Sequence, residues 1–376
     1  MSAADLALVR PTPACVPAGR AALPGEARSQ VRADTSVRMF LAPLARFLDE
    51  PGVLEVCINR PGVVFYEGAS GWKSEPAPEL TYEHLFSLAR AVATLTGQSI
   101  NEERPLLSAT LPDGERVQFV FPPACERGAV SVTIRRPSSR IWTLDEFAAQ
   151  GIFDGAQILT DSRDEVQHSA VQLRPVELEL LDMLWAGDVA SFFRAAVPAR
   201  LTTVVSGATG SGKTTFMKGL IQECSAEERL VTIEDAREIL LPRHANAVHL
   251  LYSKGDQGVA KVTARDLLVS CLRMRPDRIL LAEIREDECY DFLRNAASGH
   301  PGSITSLHAG TCAQAFEQMG LMIRQSPAGS GLSHSETQRL LRLLVDVVVQ
   351  YSKDSRGRRV SEVWYRPLHK KELGRA

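Results

Sequence analysis

GATGSGKT, residues Gly207–Thr214, is the stretch whose reading decides the fold. It satisfies the pattern G-x-x-x-x-G-K-[ST] in full, and it stands between an apolar run, LTTVV at 201–205, and a helix-like run, TTFMKGLIQE. That context is what a phosphate-cradling loop requires: a strand delivers the loop and a helix leaves it. Gly207, Gly210 and Gly212 let the backbone turn tightly enough to aim successive N–H groups at phosphate oxygens. The first turn of the helix adds a partial positive charge at the same place. Ala208, Thr209 and Ser211 contribute backbone to the cradle, and Thr215 follows it. Lys213 is expected on the β- and γ-phosphates and the Thr214 hydroxyl on Mg²⁺. The stretch implies a nucleoside triphosphate site.

Outward from the loop, strand-like and helix-like runs alternate: LTTVVSG, a helix, RLVTIED, a helix over 263–274, RILLAEI, a helix over 287–297, and SITSLH. Alternation of this kind predicts an α/β domain, a parallel sheet covered by helices with ligands at the carboxyl ends of its strands. The later runs LLVDVVVQ and RVSEVWYR extend the sheet by a hairpin, so this domain is expected over 201–376.

Upstream, residues 1–35 are rich in Ala, Pro, Gly and Arg without periodicity, which predicts a disordered tail. Residues 36–136 hold a helical pattern, short β-rich runs, a helix over 82–95 and a hairpin about Pro112-Asp-Gly114, a smaller α+β domain. Between them, 137–200 loses its periodicity apart from a helix-like stretch at 175–185 and is expected to be a linker.

Composition narrows the classes. A net charge of −2 over 376 residues argues against a global nucleic-acid-binding field. The seven cysteines, Cys15, Cys57, Cys125, Cys224, Cys271, Cys289 and Cys312, never fall in C-x-x-C spacing, which suits free thiols in a reducing compartment. No apolar run reaches the ~18–20 residues of a membrane span. A cytoplasmic protein is expected, with peripheral attachment at a membrane still open to it.

Hydrolysis needs more than a cradle. Arg278–Arg285, RILLAEIR, is an apolar strand ending in an acid, Glu283, suited to hold hydrated Mg²⁺ or to polarise a water. TIEDARE at 232–238 closes another strand with acids. Glu234 or Asp235 could share the metal, or the cluster could be a solvated face. GHPGSITSLHA at 299–309 sets His308 at a strand end, where a γ-phosphate sensor would lie, although a lone histidine also reads as a structural residue. With no cysteine partners for the histidines, zinc is not expected.

With GATGSGKTT, TIEDAREI, SCLRMRPDRILLAEIR and GHPGSITSLHAGT in this order, the chain resembles the type IV secretion traffic ATPases, the VirB-eleven-like branch of the secretion NTPases. The resemblance implies a ring of six subunits. Each pairs an N-terminal domain with a RecA-like domain and binds ATP and Mg²⁺ between the two. It assigns Lys213 and Thr214 to phosphate and metal, Glu234 and Asp235 to the Asp box, Glu283 to the catalytic-type acid and His308 to the His box. Arg116 in DGERVQF and Arg135 in VTIRRP match arginines that the first domain brings to the nucleotide. Inner-membrane components of a secretion machine are the implied partners, with no direct nucleic-acid specificity. Ala282 departs from the Asp that many P-loop proteins carry before the acid. An ATPase of a type II secretion or pilus machine is the alternative. The absence of the tetracysteine zinc module common there weighs against it.

Overall fold

The computed structural model describes residues 34–68, 71–136, 140–252, 261–355 and 357–375. Of the expected tail, residues 1–33 lie outside the described residues. Asp34 and Thr35 do not belong to it, because they open a helical stretch that continues to residue 48.

The first domain is a six-stranded antiparallel sheet with helical segments packed on it. Its strands are β1 (Glu55–Arg60), β2 (Val63–Gly68), β3 (Gly71–Pro76), β4 (Leu106–Thr110), β5 (Arg116–Val120) and β6 (Ser131–Arg135), in the spatial order β3-β2-β1-β6-β5-β4. Alternate residues are buried: Val56 and Ile58, Val64 and Tyr66, Val117 and Phe119, Val132 and Ile134. Period-two burial leaves one face of the sheet apolar, and α1 (Tyr82–Leu95) supplies its cover through Leu85, Leu88, Ala89 and Val92. The Thr81 hydroxyl caps α1 by accepting from His84 N. The β5–β6 register sets Arg116 directly opposite Arg135. Two like charges so paired repel unless acids nearby compensate.

The second domain is an eight-stranded sheet. Its strands are β7 (Gln157–Thr160), β8 (Thr203–Ser206), β9 (Leu230–Glu234), β10 (Ala247–Leu251), β11 (Arg278–Leu281), β12 (Ile304–Leu307), β13 (Val347–Asp354) and β14 (Gly357–Tyr365), ordered β10-β9-β11-β12-β8-β13-β14-β7. From β10 to β13 every ladder is parallel, and only the β13–β14 hairpin is antiparallel. Every residue of β8, β9, β11 and β12 is buried, as expected for strands with helices on both faces. The mixed, parallel-rich α/β architecture expected from the alternation is the one observed.

The expected linker is different. Most of 140–200 folds onto the second sheet: β7 pairs with β14, and α2 (Pro175–Trp185) and α3 (Val189–Ala196) bury Leu180, Leu181, Leu184, Phe192 and Phe193 in one core with Phe216 and Leu220. The Phe193 and Phe216 rings meet edge to face at 5.6 Å. Short helices of six to eleven residues, broken by Gly155, Gly187 and Pro198, carry too little periodicity to announce a core, yet their apolar residues have nowhere else to go.

Candidate active site

The phosphate loop leaves β8 at Gly207 and ends at α4 (Lys213–Ile221). Glycine is required at both ends. A Cβ on Gly207 would collide with the Tyr351 carbonyl oxygen and come within 2.8 Å of Ser211 Oγ. Gly212 sits at φ +104°, and a Cβ there would press on Tyr351 and Arg358. No side chain caps the start of α4. Its first N–H groups are therefore left to a ligand, and Ser211 Oγ is buried without a hydrogen-bond partner. An uncapped helix start, a tight glycine loop and an orphaned hydroxyl fit a phosphate group.

Lys213 is buried, donating to Ala208 O at 3.2 Å and lying 2.9 Å from His308 Nδ1. His308 Nε2 in turn lies 2.7 Å from Glu283 Oε1, an oxygen with no aligned hydrogen-bond donor. Three residues from three separate motifs thus converge on one line. Parallel pairing explains it: β8, β11 and β12 are neighbours, so their carboxyl ends project the loop, Glu283 and His308 to the same edge. Backbone bonds from Ala282 N to Ile233 O and Ile284 N to Ser306 O clamp the segment on either side of Glu283.

Burial pushes the Lys213 ammonium from 10.5 down to about 8; Glu283 opposes this, and Arg285 and Arg135 add to it. Burial likewise raises Glu283 above the ordinary carboxylate range, with His308 and Lys213 pulling it back and Asp235 adding to the rise. A perturbed acid and a perturbed base bridged by one histidine beside a phosphate loop are the electrostatics of a reaction site.

The two Asp-box acids part company. Glu234 is wholly buried and both its oxygens are engaged by the protein: Oε2 accepts from Glu238 N and Ile239 N, each at 2.8 Å, and Oε1 from the Thr232 hydroxyl. Its carboxylate pins the turn after β9. Asp235 faces the other way, into two arginines. Arg116 Nη2 donates to its Oδ1 at 2.6 Å, and Arg285 Nη1 to its Oδ2 at 3.3 Å. Both oxygens are engaged by arginine. Arg116 also reaches Glu238 at 3.2 Å, so the first domain is in contact with the Asp box. Arg135 is exposed and has no ion pair among the described residues, yet its charge is felt by Lys213.

Arg285 is the residue that sequence reading missed. It spans Glu283 (Nη2 to Oε2, 2.8 Å) and Asp235. An acid and a base two residues apart in an extended segment share a face, and that parity was the available signal. Arg358, packed on Gly212 from β14, had no signal at all in the sequence.

A family model of type II/IV secretion system proteins matches residues 166–369. The chain is 50% identical to the type IV secretion system protein VirB11 of Brucella suis biovar 1 (strain 1330) over 348 residues, 91% of this chain and 94% of that protein. It belongs to the VirB11 family. The crystal structure of the Brucella suis VirB11 ATPase in complex with sulphate aligns over 93% of this chain and all of that one, at 49% identity and a TM-score of 0.52. The pilus retraction motor PilT shares the fold at 16% identity, over 90% of this chain and 85% of that one, with a TM-score of 0.54. The VirB11-family chain is thus a type IV secretion ATPase, and the pilus reading is the more distant one.

Proposed function

We propose that the chain hydrolyses ATP with Mg²⁺ as a homohexameric ring at the cytoplasmic face of a type IV secretion machine, attached peripherally to its inner-membrane components. The convergence of Lys213, His308 and Glu283 at the phosphate loop carries the catalytic part of this reading. The α4 start and Lys213 would hold the β- and γ-phosphates. Thr214 would hold Mg²⁺, which when bound neutralises charge on the transferred phosphoryl group. Glu283, raised above the ordinary carboxylate range by burial, is suited to take a proton from the attacking water, and His308 lies between it and Lys213. Arg135, with Arg116 released from Asp235, would complete the charge around the γ-phosphate from the first domain. Neither arginine would reach the γ-phosphate until the two domains close further. No helix among the described residues is long and apolar enough to cross a membrane.

The test joins mass and turnover: phosphate release from Mg²⁺-ATP, with the assembly weighed in solution. A ring of about six subunits with turnover supports the reading; an inactive monomer refutes it. In the same assay Glu283→Gln lowers hydrolysis by about 10²–10⁴-fold with ATP still bound, the scale of lost acid–base assistance. Equal losses of binding and turnover would remove Glu283 from the chemistry.

A further inference from the structure

The ionisable groups of this site form one unbroken chain. It runs from Lys213 through His308, Glu283, Arg285 and Asp235 to Arg116, crossing from the phosphate loop to the first domain. Two links in it compete. Asp235 receives arginines from both domains, and it holds Arg116 at 2.6 Å but Arg285 at only 3.3 Å. Arg285 in turn lies closer to Glu283, at 2.8 Å, than to Asp235. In this arrangement Arg116 holds Asp235 Oδ1 at the shorter distance, and Arg285, on Oδ2, stays anchored mainly on the acid that would accept a proton.

We propose that Arg285 is a positioning residue that masks Glu283 until Arg116 leaves Asp235. Once Arg116 moves to the γ-phosphate, Asp235 loses its stronger partner and draws the Arg285 fork fully onto itself. Glu283 is then free of the cation that neutralised it. The exchange conserves the number of arginine–anion pairs, since Arg116 passes to the phosphate and Arg285 to Asp235, while Glu283 keeps His308 2.7 Å away. The planar fork suits the task because it holds two acids at once and shifts between them by rotation, which a point charge cannot do. Hydrolysis is thereby made conditional on the first domain, although that domain contributes nothing to the phosphate loop. This inference rests on the reading of Glu283 as the catalytic acid.

The experiment measures turnover and ATP affinity in Asp235→Asn and in Asp235→Asn combined with Arg285→Gln, with Glu283→Gln alongside. Without Asp235's charge nothing draws Arg285 away, so turnover falls roughly ten- to hundredfold, the scale of coupled charge pairs, while ATP affinity holds. Removing the mask as well restores most of that loss. A double variant as slow as Asp235→Asn overturns the proposal, as does full turnover in Asp235→Asn alone. Retained turnover in Glu283→Gln would instead refute the reading beneath it. Should the asparagine variant not fold, Arg285→Lys and Arg285→Gln are compared. Slower turnover with lysine, which keeps a cation on Glu283 without the bridge, supports the relay, and the opposite order overturns it.

Discussion

Raising the pH tests the site at Lys213, whose ammonium burial pushes from 10.5 to about 8 in the nucleotide-free protein. At 1.36 kcal/mol per pH unit, that drop is about 3 kcal/mol of lost preference for the charged form. A bound triphosphate supplies the opposing charge and restores the proton. Binding must therefore take up a proton above pH 8, and affinity falls toward tenfold per pH unit there. Lys213→Arg is the reference, since a guanidinium stays charged throughout and the nucleotide's own titration cancels in the comparison. At pH 9 the wild type should have lost about tenfold in affinity for a non-hydrolysable ATP analogue relative to the arginine variant. Calorimetry in two buffers of different ionisation enthalpy reads the proton directly. The sign for folding is opposite. Between pH 8 and 10.5 the unfolded chain holds a proton that the folded one has released, so stability of the free protein rises with pH across that window, by up to about 3 kcal/mol. Parallel affinity profiles for the two proteins, or no proton uptake at pH 8.5, would refute a buried, depressed Lys213.

Three further outcomes follow from geometry. Gly207→Ala should weaken nucleotide binding while leaving the fold intact, because the added methyl meets the Tyr351 carbonyl and displaces the loop; unchanged affinity would mean the loop is slack. Arg278, wholly buried, donates through Nε and Nη2 to Glu228 at 2.8 and 3.1 Å and through Nη1 to Gly302 O. Arg278→Met strands that acid, and urea unfolding should show a loss of about 2–4 kcal/mol, the lower part of the range if Arg200, 2.9 Å from Glu228, compensates. Arg135→Ala should slow turnover more than it weakens ADP binding, because ADP lacks the γ-phosphate, and equal losses for ATP and ADP would remove Arg135 from the site.

Much of this was readable before any coordinates, and the limits have physical causes. The phosphate loop declares itself because its glycines are dictated by backbone clashes, as Gly207 against Tyr351 shows. Glu283 and His308 were legible because both end apolar runs, and parallel strands bring such ends together. Glu234 and Asp235 were not separable by residue type. Only strand parity divides them, since Glu234 shares a face with Thr232 and turns inward while Asp235 points out. Arg285, two residues after Glu283, offered only that parity as its signal. Residues 140–200 were misjudged for a different reason: Phe192, Phe193 and Leu181 find their partners in residues distant in sequence, and no local window holds that information.

The pairing of β7 with β14 has a consequence for how the protein is made. Gln157–Thr160 finds its ladder partner at Glu362–Tyr365, and Asp161 accepts from Leu368 N. During synthesis at ~5–20 residues per second, that strand leaves the ribosome roughly 10–40 seconds before its neighbour exists. Throughout that interval the half-built sheet carries an open edge, together with the apolar residues of α2 and α3 that its final layer covers. β14 and the residues 367–375 that follow it therefore act as the latch of the nucleotide domain, and a nascent chain that stalls before them presents an adhesive strand to its neighbours on the same polysome.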